Sequence, residues 1–162
     1  MKFGLTGDTH NNLTNIGSIC RIFNESNVDF VVHTGDITLP KSLLAFRSLE
    51  VPLIGVFGNN DQGDIDDLKR ICVDYGFDFS ENFKELDLND KKIFIVHDPK
   101  DIQEKFFGKN NIILHGHTHR FRNEISKQTF IFNPGECAGM MKGKNSVGII
   151  DSDKLEMEVI NF

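Results

Sequence analysis

A chain of 162 residues is most simply one domain (residues 1–162), long enough for a substantial core and too short for two comfortable ones. A hydrophobic share of 39% beside 26% charged residues is ordinary for a soluble globular protein, and no apolar run nears the roughly 18 residues a membrane span needs. The net charge of −6 argues against a large nucleic-acid footprint. Three scattered cysteines, Cys20, Cys72 and Cys137, form no CxxC pair and fit a reducing compartment. The N-terminus turns polar too soon for a signal peptide, so the expected location is the cytoplasm, with no membrane partner.

In chain order, the apolar runs 3–6, 30–32, 53–57, 93–96 and 112–114 read as strands buried on both faces. Amphipathic spacing predicts helices at about 13–24 (Ile16, Ile19, Cys20, Phe23), 40–49 with Pro40 in its first turn, and 65–75 (Leu68, Ile71, Cys72). Strands 83–88 and 92–96 flank an expected hairpin turn, Asn89-Asp90-Lys91. Further strands are expected at 129–132, 147–150 and 155–160, the last two joined through Asp151-Ser152-Asp153-Lys154. A βαβα opening followed by strands makes the fold class α/β, with one mixed sheet or two packed sheets.

The polar residues that carry chemistry cluster at one kind of place. Asp8 and His10 follow the first strand, Asp36 the second and Asn59 the third; His97 ends the fourth run, and His117 and His119 follow the fifth. In open α/β sheets the C-terminal strand ends are where ligands bind. Alone, each fragment has a plain structural explanation as a turn or a strand end; five of them in order at equivalent strand ends do not. The donors are imidazole, carboxylate and amide with no thiolate, which suits manganese, iron, zinc, cobalt or nickel. Seven donors exceed one ion's needs but serve two ions sharing a carboxylate, about 3.5–4 Å apart as in two-metal hydrolases.

Asp8-Thr9-His10, Gly35-Asp36, Gly58-Asn59-Asn60-Asp61, His97 and Gly116-His117-Thr118-His119 are similar to the ordered motifs of the calcineurin-like metallophosphoesterases, and Asn133-Pro134-Gly135 resembles a further landmark of that family. The likeness covers nearly the whole chain and is greatest to the small, uncapped phosphodiesterase branch. It implies a four-layer α-β-β-α sandwich of two mixed sheets. It also implies two divalent transition-metal ions, manganese foremost. One would be held by Asp8, His10, Asp36 and His119, the other by Asp36, Asn59, His97 and His117, so that Asp36 bridges. The implied activity is hydrolysis of a small phosphodiester by hydroxide generated at the ions. A phosphomonoesterase or nucleotide phosphatase and a non-catalytic protein-binding scaffold are the alternatives. A homodimer or higher homo-oligomer is the commonest assembly for such a chain.

Several positions depart from that pattern. Many members carry His after the Asn of the third motif; here it is Asn60, which can donate a hydrogen bond but cannot act as general acid. Asn60 and Asp61 are therefore expected to support catalysis, Asp61 by orienting its neighbours. Asp98 follows His97 where Gly is frequent and reads first as a turn residue. Glu136 follows Asn133-Pro134-Gly135 where Ser is frequent, and an inward acid there would disfavour a second anionic group on the substrate. His33 and His115 match no ligand and read as packing or supporting residues, and Cys137 as a small buried one. Among the 15 phenylalanines, Phe106-Phe107, Phe121 and Phe132 are candidates for an exposed oligomer contact.

Overall fold

The computed structural model describes residues 1–88 and 90–162. Two mixed sheets face each other. The first runs in the order β11-β10-β1-β2-β3-β4, built from Lys2–Thr6 (β1), Phe30–His33 (β2), Leu53–Val56 (β3), Asp78–Ser80 (β4), Ser146–Asp151 (β10) and Glu156–Asn161 (β11). The second runs β5-β6-β7-β9-β8, from Phe83–Leu88 (β5), Lys91–Val96 (β6), Ile112–Leu114 (β7), Arg122–Ser126 (β8) and Thr129–Asn133 (β9). β1 to β4 are parallel, as are β6, β7 and β9; β10, β11, β5 and β8 pair antiparallel at the flanks.

Alternation along the strands divides the core. Phe3, Leu5, Phe30, Val32 and Val56 meet Ile93, Ile95, Ile112, Leu114 and Phe132 between the sheets. The opposite face of the first sheet, with Val31, Leu53 and Val147, is covered by Leu13–Glu25 (α1), Pro40–Ala45 (α2) and Ile65–Tyr75 (α3). Each of these buried aliphatic or aromatic side chains stabilises the fold by roughly 1.5–3 kcal/mol. The Asn12 side chain caps α1 by accepting from Asn15 N at 3.0 Å, and its stripe Ile16, Ile19, Cys20 and Phe23 faces the sheet as its spacing predicts. The outer face of the second sheet carries Phe94, Val96, Ile113 and Ile131, covered by Phe106 from the 3-10 turns Pro99–Asp101 and Glu104–Phe106.

The differences from expectation are local. The 40–49 helix stops at Ala45 and tightens into a 3-10 turn over Phe46–Ser48. The short strand β4 and the exposed edge strand β8 were not expected: β4 has three residues, and β8 is polar and carries no apolar alternation. The hairpin between β5 and β6 closes with Leu88 opposite Lys91, and its expected turn residue Asn89 lies outside the described residues. Phe106 and Phe132 are fully buried, so they are not surface contacts; Phe121 is 56% exposed. Both are held between layers that sequence spacing alone does not bring together.

His33 behaves as a packing residue. It is fully buried, lies edge-on to Phe46, accepts from Gly35 N at Nδ1 (3.1 Å), and pairs through Nε2 with Thr9 Oγ1 (3.0 Å). Burial pushes its pKa down to about 3, so the folded protein holds it neutral. Its unfolded pKa is near 6.5, so the unfolded state alone takes up this proton as pH falls below that value. We expect His33 to cost about 2 kcal/mol of stability between pH 7 and pH 5. Chemical denaturation of His33→Gln at both pH values should show a correspondingly smaller acid loss than the parent; an identical loss excludes this role.

Candidate metal centre

The residues at the strand ends converge because both sheets present the same edge to one cleft. Asp8 and His10 leave β1, Asp36 leaves β2 and Asn59 leaves β3, all in the first sheet; His97 leaves β6, and His117 and His119 leave β7, in the second. The chain turns sharply at these exits. Asp8, His10, Asp36, His117 and His119 all have positive φ (50°, 46°, 59°, 67° and 53°), and Thr38 has φ 76°. Such backbone is uncommon outside glycine and gathers where a site dictates it. Two glycines make room for the carboxylates. A Cβ on Gly58 would lie 2.2 Å from Asp36 Oδ1, and one on Gly116 2.6 Å from Asp8 Oδ2.

Two clusters of donor atoms result. Asp8, His10 and His119 form one, and Asp36, His97 and His117 the other, with one donor atom per residue lying within 4.8 Å of its partners. Asn59 Oδ1 joins the second cluster, 2.9 Å from His97 Nε2 and 3.0 Å from His117 Nδ1. Asp36 faces both: Oδ1 lies 3.4 Å from His97 Nε2 and Oδ2 3.9 Å from His10 Nε2. All seven residues singled out from the sequence are therefore assembled in one place.

The rings are oriented from behind. His97 Nδ1 donates to the Thr34 carbonyl at 2.9 Å, which leaves its Nε2 lone pair for the cluster. His10 Nδ1 pairs with Thr38 Oγ1 at 3.2 Å, while His10 Nε2 is buried without a hydrogen-bond partner. His119 Nδ1 pairs with Glu136 Oε2 at 2.6 Å, and His117 Nε2 lies 3.5 Å from Asp98 Oδ2. Asp98 Oδ1 meanwhile accepts from Lys100 N at 2.9 Å, so this residue both caps the next turn and faces His117. His10, His97 and His119 thus each have one nitrogen hydrogen-bonded and the other aimed inward, the arrangement that fixes tautomers in metal sites, while His117 Nε2 faces Asp98 at ion-pair distance.

Asp61 is an organiser. Fully buried, it accepts from the backbone N–H groups of Asp36, Ile37, Thr38 and Gly58 at 2.6–3.0 Å. Asn60 donates to Asp36 twice, from its backbone N–H to Oδ1 (2.9 Å) and from Nδ2 to Oδ2 (2.7 Å). Asn133 links the last landmark to the histidine turn: Nδ2 donates to the Gly116 carbonyl (3.1 Å) and Thr118 Oγ1 (3.2 Å), while Oδ1 accepts from Gly135 N (2.9 Å). His115 lies just beyond β7 and supports the same turn, with Nδ1 against the Gly116 carbonyl and Nε2 3.2 Å from Arg122. Cys137 is fully buried, donates to the Ser146 carbonyl at 3.0 Å, and its thiol is pushed up to about 12 by burial.

The electrostatics ask for cations. Asp8, Asp36, Asp61 and Glu136 are each at most 2% exposed, and buried charges persist only when paired or metal-bound. Burial pushes Asp8 up to about 6, against the pull of His97 and His119. For Asp36 burial acts the same way but loses to His97 and Asn60, which hold the carboxyl well below the usual range. Burial would lower His97, yet Asp36 and then Asp8 raise it to about 8. Three inward donors near 3 Å apart match neighbouring ligands that each stand about 2.0–2.2 Å from a shared ion. The orphaned His10 Nε2 and the crowded Asn59–His97–His117 triad are explained together by divalent ions, and the residues fit them.

A cavity of about 800 Å³ opens beside the second cluster, bounded by Asn59, Glu81, Phe83, His97, Asp98 and Gln103. The sequence patterns did not indicate Thr38, Thr34 or Gln103. Thr34 acts through its backbone, and the others lie in loops with no motif of their own.

Comparison with known proteins agrees with this geometry. Phosphodiesterase MJ0936 of Methanocaldococcus jannaschii is 34% identical over 164 residues, covering 99% of this chain and 98% of the relative. Phosphodiesterase YfcE of Escherichia coli K12 is 26% identical over 180 residues, covering 99% and 93%. The solved structure of an archaeal phosphodiesterase superposes with a TM-score of 0.89 at 33% identity, covering both chains fully. The family model of the calcineurin-like phosphoesterase superfamily domain matches residues 1–155. With the ordered motifs gathered at one sheet edge and the matching fold, the chain belongs to the calcineurin-like phosphoesterase superfamily.

Proposed function

We propose that this protein is a metal-dependent phosphodiesterase, acting through one domain that carries the whole site. The observation that carries the reading is the pair of donor clusters meeting at Asp36 beside an open cavity. The phosphodiesterase relatives, similar over almost their full length, support it.

In this reading Asp8, His10, Asp36 and His119 hold one divalent ion, and Asp36, Asn59, His97 and His117 the other. Manganese is the first choice, with nickel, iron, cobalt or zinc compatible with the same donors. When bound, the ions neutralise phosphate charge and supply hydroxide near neutral pH. Around them, Thr34, Thr38 and Asp98 hold the imidazoles of His97, His10 and His117 with one nitrogen inward. Asp61 ties the Asp36 and Gly58 loops together, and the cavity receives one arm of the ester. Its rim sets Glu81, Asp98 and Asp101 against Lys100, which disfavours a dianionic monoester relative to a diester. The substrate is thus a small phosphodiester, since among the described residues lining the cavity Lys100 alone is a lysine or arginine, short of the basic track a nucleic acid needs.

Apo protein reconstituted with Mn²⁺ or Ni²⁺ should turn over bis-p-nitrophenyl phosphate with higher kcat/KM than p-nitrophenyl phosphate. The reverse order overturns the diester reading. No turnover of either by protein shown to hold metal supports the scaffold instead.

A further inference from the structure

Glu136 directly follows Asn133-Pro134-Gly135, and its surroundings give that acid a task. Its side chain is 2% exposed, and both oxygens are engaged. Oε2 lies 2.6 Å from His119 Nδ1, and Oε1 accepts from Met140 N at 2.8 Å. The backbone is pinned as well: Glu136 bridges to Asn145, and its carbonyl accepts from Ser146 N at 2.7 Å. Two asparagines at the start of α1 hold the following residues, Asn15 donating to the Cys137 carbonyl and Asn12 to the Ala138 carbonyl, both at 2.9 Å. The carboxylate is therefore fixed before any ion arrives.

We propose that Glu136 is a positioning residue for one half of the metal centre: it accepts the His119 Nδ1 proton and presents Nε2 toward Asp8 and His10. The proposal rests on the metal-site reading above and adds a residue to it. Without an acceptor behind it, the His119 ring is free to flip or to carry its proton on Nε2, which removes the inward lone pair. A carboxylate behind an imidazole also raises its basicity as a ligand, and losing such a partner costs metal affinity by about 10–100-fold. The other cluster has its own supports, Thr34 for His97 and Asp98 for His117, so the loss is one-sided.

The chemistry of substitution is specific. Glutamate accepts from two N–H groups at once. Glutamine can still accept from His119, but its NH₂ then faces the Met140 N–H, so it keeps one bond and loses the other. Methionine fills the same volume and accepts from neither in any useful way.

Titration of apo protein with Mn²⁺ alone, followed by calorimetry and by EPR, tests this. The parent should bind two ions and show the coupled signal of a dinuclear pair. Glu136→Met should weaken one of the two by about 10–100-fold, leave the other within a few-fold, and lose the coupled signal at sub-saturating metal. Glu136→Gln should recover most of that affinity. Added to His119→Ala, Glu136→Met should cause no further loss, because it acts through that ring. The apo melting curve of each variant reports folding separately. Unchanged binding in Glu136→Met, equal weakening of both ions, or a glutamine variant as damaged as the methionine one overturns the proposal. If the parent itself does not bind two ions, the underlying metal reading fails instead.

Discussion

Replacing Asp36 by asparagine is expected to lower kcat/KM on a diester by on the order of 10³-fold, because several kcal/mol of charge stabilisation at the ions is lost. Asp36 has one oxygen facing His10 and the other facing His97, so it reaches both clusters. It is already oriented by Asn60, which donates to each oxygen. Asparagine keeps the shape but turns one acceptor into an NH₂, which must face either the Asn60 donors or an ion. In the proposed two-ion site it would also remove the anion between the cations. The variant should therefore bind fewer than two Mn²⁺ per chain while keeping its fold, since Asp61 holds four backbone N–H groups of these loops and the asparagine Oδ1 can still accept from Asn60 N. Metal content, far-UV circular dichroism and diester turnover measured on one preparation decide the matter. Activity and two-ion binding near the parent level contradict the bridging role.

The second large effect concerns the leaving group. Asn60 follows the candidate ligand Asn59, and its Nδ2 donates to Asp36 Oδ2 at 2.7 Å, so the amide is committed to the carboxylate. It has no proton to give a departing alkoxide. General-acid assistance is worth about 10²–10⁴-fold, and esters that need it should suffer by that factor. Aryl diesters, which leave as stabilised phenolates, should be turned over well and alkyl diesters poorly, with a steep dependence on leaving-group pKa. Asn60→His should flatten that dependence by speeding the alkyl esters. Equal rates for aryl and alkyl leaving groups in the parent enzyme exclude this account.

Much of the fold was legible because its elements announce themselves locally. Runs such as Ile93-Phe94-Ile95-Val96 and Ile112-Ile113-Leu114 are too apolar for a half-exposed strand, and Ile16, Ile19, Cys20 and Phe23 fall on one helical face. Three-residue β4 and polar β8 escaped notice because pairing, not composition, makes them strands. The histidine-rich turn shows the same division. The family resemblance assigned His117 and His119 to different ions and left His115 aside; in the structure His119 lies with Asp8 and His10, and His117 with Asp36 and His97. Glu136 was visible as a departure from the family pattern, but nothing in its neighbourhood of sequence points at a ring 17 residues earlier.

Residue types and their order therefore determined the chemistry of this protein: oxygen and imidazole donors without thiolate, each placed just after a buried strand, where the backbone must turn. Tertiary structure decided the rest. Only the packing of two sheets face to face brings Asp36 from the first within 3.4 Å of His97 from the second. Only the closure of the β9–β10 loop onto the start of α1 puts a buried carboxylate behind His119. Donor identity is a property of single side chains, whereas tautomer, bridging and cavity shape depend on distances between segments far apart in the chain.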